Sequence, residues 1–333
     1  MPGIAPLRFV QVGACVLNGT TDIPTTVMRL TGVLDDLTEV QFPDENVGII
    51  GGVNRSYIAK TGGEIPLEGD ATFEQLPSIF NGGIHTATPT TDTGTGYVYT
   101  YNLQYTSTDP LASTDITYMV IEAGDNQQAE IMRSGFVREI TLSGEQGAAL
   151  MINAVVEGQT VATTTVTSGL SIPTVESILF SKGKLYIDPS TDTIGTTQKS
   201  ATLLSMELKL NGWQAIQVGD GQLHFTSTKL TNNEAELSIT FEYDGSATAE
   251  IVNWRAQNER ALRLIWTGST LTSGGTYTTK TLRIDLYGKW ADFEPIDEQD
   301  GNDIVTGKFR VGYSSGGAKK GTIIVVNELS TLP

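Results

Sequence analysis

Glu234-Ala235-Glu236-Leu237-Ser238-Ile239-Thr240-Phe241-Glu242-Tyr243 alternates without a break. Ala235, Leu237, Ile239, Phe241 and Tyr243 fall on one side, and Glu234, Glu236, Ser238, Thr240 and Glu242 on the other. A period of two predicts a β-strand with one buried and one wet face. The wet side carries carboxylates and no base.

The same pattern extends in both directions. Residues 202–211 place Leu204, Met206, Leu208 and Leu210 inward, and 222–229, 261–267, 281–290, 308–313 and 322–327 read as further strands. Nearer the N-terminus, 8–17, 26–34, 46–60, 97–105, 116–122, 136–142 and 150–157 read as extended, with Tyr97, Tyr99, Tyr101, Leu103 and Tyr105 on one face. Two helices interrupt this series. In 72–81, Phe73, Leu76 and Phe80 recur at helical spacing, Thr72 and Gln75 fit a capping box, and Gly82 suits the C-terminal cap. Pro77 stands against that helix, because it would lie inside it. The second helix, 248–258, offers Ile251 and Trp254. The expected fold class is all-β with minor α.

Residues 161–177, rich in Thr, Ser and Gly, read as a linker. The expected organisation is two tandem β-barrel or sandwich domains, 1–160 and 178–333, each with one flanking helix. Element order is similar in the two: 64–82 would correspond to 237–268, and 97–105 to 281–287.

The chain has 333 residues, 21 basic and 38 acidic, for a net charge of −17 and a pI near 4.5. That sign disfavours nucleic-acid phosphate and anionic lipid as tightly bound partners. The only cysteine is Cys15, so no disulfide framework is expected. Val12-Gly13-Ala14-Cys15 loosely matches a lipoprotein cleavage box, but the apolar run before it is short and broken by Gln11. A buried structural cysteine on an N-terminal strand is the expected reading. No stretch of about 20 apolar residues is present, so no membrane partner is expected.

Candidate chemistry is sparse. His85 and His224 lie far apart, without metal-ligand spacing. Asp297, Glu298, Asp300 and Asp303 form the densest acidic cluster; a calcium loop counted back from Gly301 would begin on Ile296, so that pattern fails. The four tryptophans, Trp213, Trp254, Trp266 and Trp290, read as core. No cofactor is expected, and a structural protein is expected rather than an enzyme. A secreted carbohydrate-active β-sandwich enzyme is the reading from another class.

Three regions resemble the bacteriophage tail tube, or major tail, protein family. They are 64–77 (EIPLEGDATFEQLP), 135–144 (GFVREITLSG) followed by 148–158, and 282–293 with the acidic turn 297–303 and the strand 322–327. The resemblance implies tail-tube-like β domains that stack as rings into a hollow virion conduit, assembled in the host cytoplasm. DNA passes through it without specific binding. Its partners would be further copies, in trimeric pseudo-hexameric or hexameric rings, and other tail proteins. A baseplate or tail-terminator ring protein is the alternative. Glu234, Glu236 and Glu242 are the candidate lumen acids, and Asp297, Glu298, Asp300 and Asp303 the candidate inter-ring loop acids. The polar segments 34–46 and 85–96 are expected to order only on stacking.

Overall fold

The computed structural model describes residues 5–48, 54–104, 115–314, 316–317 and 319–332. Tyr105 and residues 49–53 of the expected 46–60 strand pair lie outside them.

Strands dominate. The first run is β1 (Phe9–Cys15), β2 (Thr26–Val27), β3 (Asp35–Asp36), β4 (Glu39–Gln41), β5 (Tyr57–Lys60) and β6 (Gly63–Asp70). Helix α1 (Leu76–Gly83) precedes β7 (Thr90–Thr91), β8 (Tyr97–Asn102), β9 (Tyr118–Gly124), β10 (Ala129–Glu145), β11 (Met151–Gly158) and β12 (Thr160–Thr164). Then come β13 (Gly183–Pro189), β14 (Gln198–Lys199), β15 (Leu203–Ile216) and β16 (Ser227–Glu242). Helix α2 (Gly245–Arg255) leads to β17 (Arg260–Thr270), β18 (Thr279–Phe293), β19 (Asp297–Gln299), β20 (Asn302–Val311) and β21 (Gly321–Asn327). All but the small β4–β5 pair join one continuous, barrel-like network of antiparallel ladders.

The deciding stretch behaves as its alternation requires. Ala235, Leu237, Ile239 and Phe241 are buried, while Glu234, Glu236 and Glu242 are exposed. Tyr243 departs from the pattern: it lies past the strand end and is exposed. Strand β16 also absorbs part of the expected strand 222–229. Strand β10 is much longer than the expected 136–142, because a bulge at Ser134, with φ of 54°, breaks the alternation without ending the strand.

Both helices shift from their expected bounds. Helix α1 starts later than 72, which puts Pro77 in the first turn, where its missing N–H costs nothing. The expected capping box does not form, because Gln75 and not Thr72 precedes the first helical residue. Thr72 Oγ1 accepts from Gln75 N at 3.3 Å, but the Gln75 side chain turns to Arg29 N and Val27 O. Helix α2 starts before 248, capped by the Asp244 carboxylate, which accepts from Ser246 N and Ala247 N at 2.7 and 2.9 Å.

The expected linker is tied down. It opens as β12, paired to β10. Buried Glu122 then accepts from Thr167 N and Thr167 Oγ1, both at 2.8 Å. Further on, Lys280 bridges Glu74 and Glu176 at 2.6 and 3.3 Å. Nor does 161–177 break the network: β8 pairs with β21, β10 pairs with β15, and one apolar core draws on residues from Val10 to Val325. Trp213, Trp266 and Trp290 are buried in the molecule; Trp254 is partly buried against the core.

The ladders recur in one order. β1 pairs with β9, β9 with β10, β10 with β11 and β12, and β11 with β6. Later, β13 pairs with β17, β17 with β18, β18 with β20 and β21, and β20 with β16. Registers match too. β10 bulges at Arg138 against β11, and β18 bulges at Ala291 against β20. Superposing those bulges lays 151–158 on 304–311, 63–70 on 235–242, 160–164 on 321–325, 121–124 on 263–266 and 9–12 on 183–186; the bulge at Ser134 has no equivalent between β17 and β18, so Met119, opposite Gly135, falls on Arg260, opposite Gly288. Gly135 falls on Gly288, each where a strand exchanges neighbours. A side chain at Gly288 would sit 2.1 Å from Arg310 O. The expected match of 97–105 to 281–287 does not hold in this alignment: 281–287 lies in β18, the counterpart of β10, and β8 has none.

Candidate assembly surface

Glu234, Glu236 and Glu242 share the solvent face of β16, as read from sequence, but that face is not purely acidic. Glu236 stands in register between Lys209 of β15 and Arg310 of β20, and Ser238 stands opposite Lys308. Glu234 lies near Lys320, whose amine burial pushes below its ordinary range. Three cations of this sheet form ion pairs. Lys209 lies 2.8 Å from Glu207, and its amine is held above its usual range by that bond and by the charges of Glu207, Glu236 and Glu139. Lys308 lies 2.9 Å from Glu294 and is raised by it, with Asp292 and Glu236 adding to the effect. Arg138 joins Glu64 and Glu157 at 3.0 and 3.5 Å. Exposed pairs of this kind add little stability. They set the pattern of potential across the sheet.

The acidic cluster, expected as a loop, is a hairpin. Asp297 pairs with Ile304 and Glu298 with Asp303, and Asp300-Gly301 forms the turn with φ of 52° and 83°. Positive φ at both central residues matches the two-residue turn that suits strand twist. All four acids are exposed, and Asp303 O accepts from Tyr243 N at 2.9 Å. Among the described residues, no group of three or more His, Cys, Asp or Glu side chains is placed to hold a metal ion. His85 Nε2 accepts from Asn102 N at 3.0 Å, and His224 Nδ1 contacts Phe225 O at 2.9 Å. Cys15 is buried on β1, where desolvation pushes its thiol up to about 11.

The two polar segments make contacts within the chain. Residues 34–46 contain β3 and β4, and the β4–β5 arm exposes Val40, Phe42, Tyr57 and Ile58. In 85–96, Asp92 accepts from Tyr277 N and Thr276 N at 2.8 and 3.1 Å, bonds that hold its carboxyl below the ordinary range.

Two strand edges run past the bounds expected from sequence, which ended the extended segment at 34 and the later strand at 290. The first is 31–37, whose inner side lies along β6 through Thr31–Glu68, Asp35–Glu64 and Asp36–Gly63. The second is 292–298, whose inner side lies along β20. Neither has a ladder on its outer side among the described residues. Val33, 58% exposed, and Ile296, 54% exposed, mark them. An exposed apolar residue beside Gly or Pro in a polar stretch was the only signal available from sequence.

No family model matches the chain, and comparison with curated proteins gives no match.

Proposed function

We infer that the protein is the structural subunit of a bacteriophage tail tube. In this reading it comprises two tandem tail-tube-like β domains, each with a flanking helix, and self-assembles into stacked rings of three chains with pseudo-sixfold symmetry. One observation carries the reading: the ladder order of β1, β9, β10, β11, β12 and β6 recurs in β13, β17, β18, β20, β21 and β16. A unit repeated within a chain, with the same contact available between chains, is how a short closed ring is built from few subunits. The net charge supports the conduit role, because a protein in which 38 acids outnumber 21 bases repels DNA phosphate on balance.

Negative-stain electron microscopy of the purified protein tests this. Long hollow tubes are expected. Isolated rings would favour a tail-terminator or baseplate component, and monomers at every concentration would remove the ring reading. The lumen assignment has its own test. Replacing Glu234, Glu236 and Glu242 together with Lys should leave assembly intact and slow DNA ejection, most at low salt. The Lys would join Lys209 and Arg310 in an uninterrupted cationic patch. Ejection at the unaltered rate in low salt would remove these residues from the lumen.

A further inference from the structure

Strand β15 makes the contact between the two ladder sets. Its inner side pairs with β16, in its own set, as Ser205–Thr240, Lys209–Glu236 and Leu210–Ala235. Its outer side pairs with the last part of β10, in the other set, from Glu139–Asn211 to Glu145–Ser205. The repeat assigns each of these strands a counterpart. Thr31–Glu68, Asp35–Glu64 and Asp36–Gly63 fall on the three β15–β16 pairs just named, so 31–37 is the counterpart of 205–211. Likewise 292–298 is the counterpart of 139–145. The internal junction is filled; its counterpart consists of the two edges left without ladders.

We propose that residues 31–37 of one chain add as an antiparallel strand to residues 292–298 of a neighbouring copy, reproducing the β10–β15 junction between chains. The register follows from the internal one. Glu139–Asn211 becomes Asp292–Leu37, Leu142–Leu208 becomes Pro295–Leu34, and Ser143–Glu207 becomes Ile296–Val33.

Backbone direction supplies an independent check. Thr31 N and Leu37 N donate inward, to Glu68 O and Gly62 O, so alternation turns Gly32, Leu34 and Asp36 outward. Glu294 N donates inward to Thr306 O, so Phe293 and Pro295 turn outward. The transferred register pairs Phe293 with Asp36 and Pro295 with Leu34, which are outward groups on both edges. Val33 and Ile296 then form a pair that exchanges no backbone bonds, the type in which side chains approach most closely. The most exposed apolar residue of each edge would thus be covered by the other.

Two features keep this junction weaker than the internal one. Pro295 brings no N–H to the ladder. Asp35 meets Glu294, where the internal junction sets Lys209 against Thr141. Both limit promiscuous edge pairing while leaving the correct partner accessible.

The proposal rests on the ring reading, and the test separates the two. Chains carrying Val33→Cys and chains carrying Ile296→Cys are mixed under mild oxidation. A covalent dimer is expected from the mixture and not from either chain alone, since Cys15 is buried. One chain carrying both substitutions should close into a covalent ring, of three chains if the stoichiometry holds. Rings or tubes that assemble without this disulfide overturn the proposal alone; a protein that never associates overturns the ring reading and the proposal with it. A second variant needs no new thiol. Asp35→Lys recreates the position of Lys209 and should lower the concentration required for assembly several-fold at low salt. An unchanged or raised threshold counts against the register.

Discussion

Helices α1 and α2 follow corresponding strands, β6 and β16, yet different forces hold them. Helix α1 is apolar on its inner side. Leu76, Ile79 and Phe80 are buried, Phe80 meets Tyr101 edge-on at 5.3 Å, and the Tyr101 hydroxyl donates to Pro77 O at 3.0 Å. Helix α2 buries only Ala247 and Glu250. Its anchor is ionic: Arg260 Nε and Nη2 donate to Glu250 Oε2 and Oε1 at 2.9 and 2.7 Å, and Trp290 Nε1 donates to Oε2 at 3.0 Å. One backbone plan therefore accepts either an apolar or a charged plug beneath its helix. The apolar plug gains by leaving water. The charged one is secure only while each member keeps its partners.

Breaking each plug should show this difference. Glu250→Ala leaves a buried guanidinium and an indole N–H unpaired, and should cost about 3–5 kcal/mol. Glu250→Gln should recover part of that loss by restoring hydrogen bonds. Phe80→Ala should cost about 3–5 kcal/mol through lost burial and a cavity, and Phe80→Leu much less. Urea unfolding checks both pairs. If Glu250→Ala proves as mild as an exposed substitution, the charged plug is not what holds α2. Asp244→Ala removes the cap of α2 and should cost about 1 kcal/mol. Helix α1 has no side-chain cap to lose, so Gln75→Ala should act through the Arg29 and Val27 contacts and leave the helix end unchanged in hydrogen exchange.

A smaller effect concerns pH. The Asp188 carboxylate, on β13, is held below its ordinary range. Burial alone would raise it, but bonds from Gly195 N, Thr196 N and Thr197 N at 2.7, 3.1 and 2.8 Å outweigh that. A depressed pKa gives stability that is full above the unfolded carboxylate's pKa and is lost as pH falls through the folded one. Strand β1 carries no carboxylate. Acid should therefore loosen the turn after β13 before anything near β1, as read by site-resolved hydrogen exchange. Asp188→Asn should remove that step.

Local pattern made much of the fold legible. The part of β16 from 234 to 242 was clear because its core-facing residues are all apolar and its wet face all polar. Helix α2 began earlier than its apolar residues suggested, since its first turn is fixed by Asp244 and not by packing. The pairings of β8 with β21 and β10 with β15 left no trace in any window of sequence, because register between distant strands is set by mutual fit. For the same reason the acids of β16 were legible as one face, while Lys209 and Arg310 beside them were not. The edges at 31–37 and 292–298 became visible only when two ladder sets could be compared.

The β8–β21 ladder also has a consequence in time. Thr322 and Asn102, which it joins, stand 220 residues apart. At about 5–20 residues per second, β8 would leave the ribosome roughly 10–40 s before its partner exists. For that interval Tyr99 and Tyr101, fully buried in the finished molecule, lack the β21 ladder that runs beside them. Strand β10 has a shorter wait for β15. A nascent chain thus carries β8 without β21 for that whole interval, and its yield should depend on whatever shields the strand until β21 emerges.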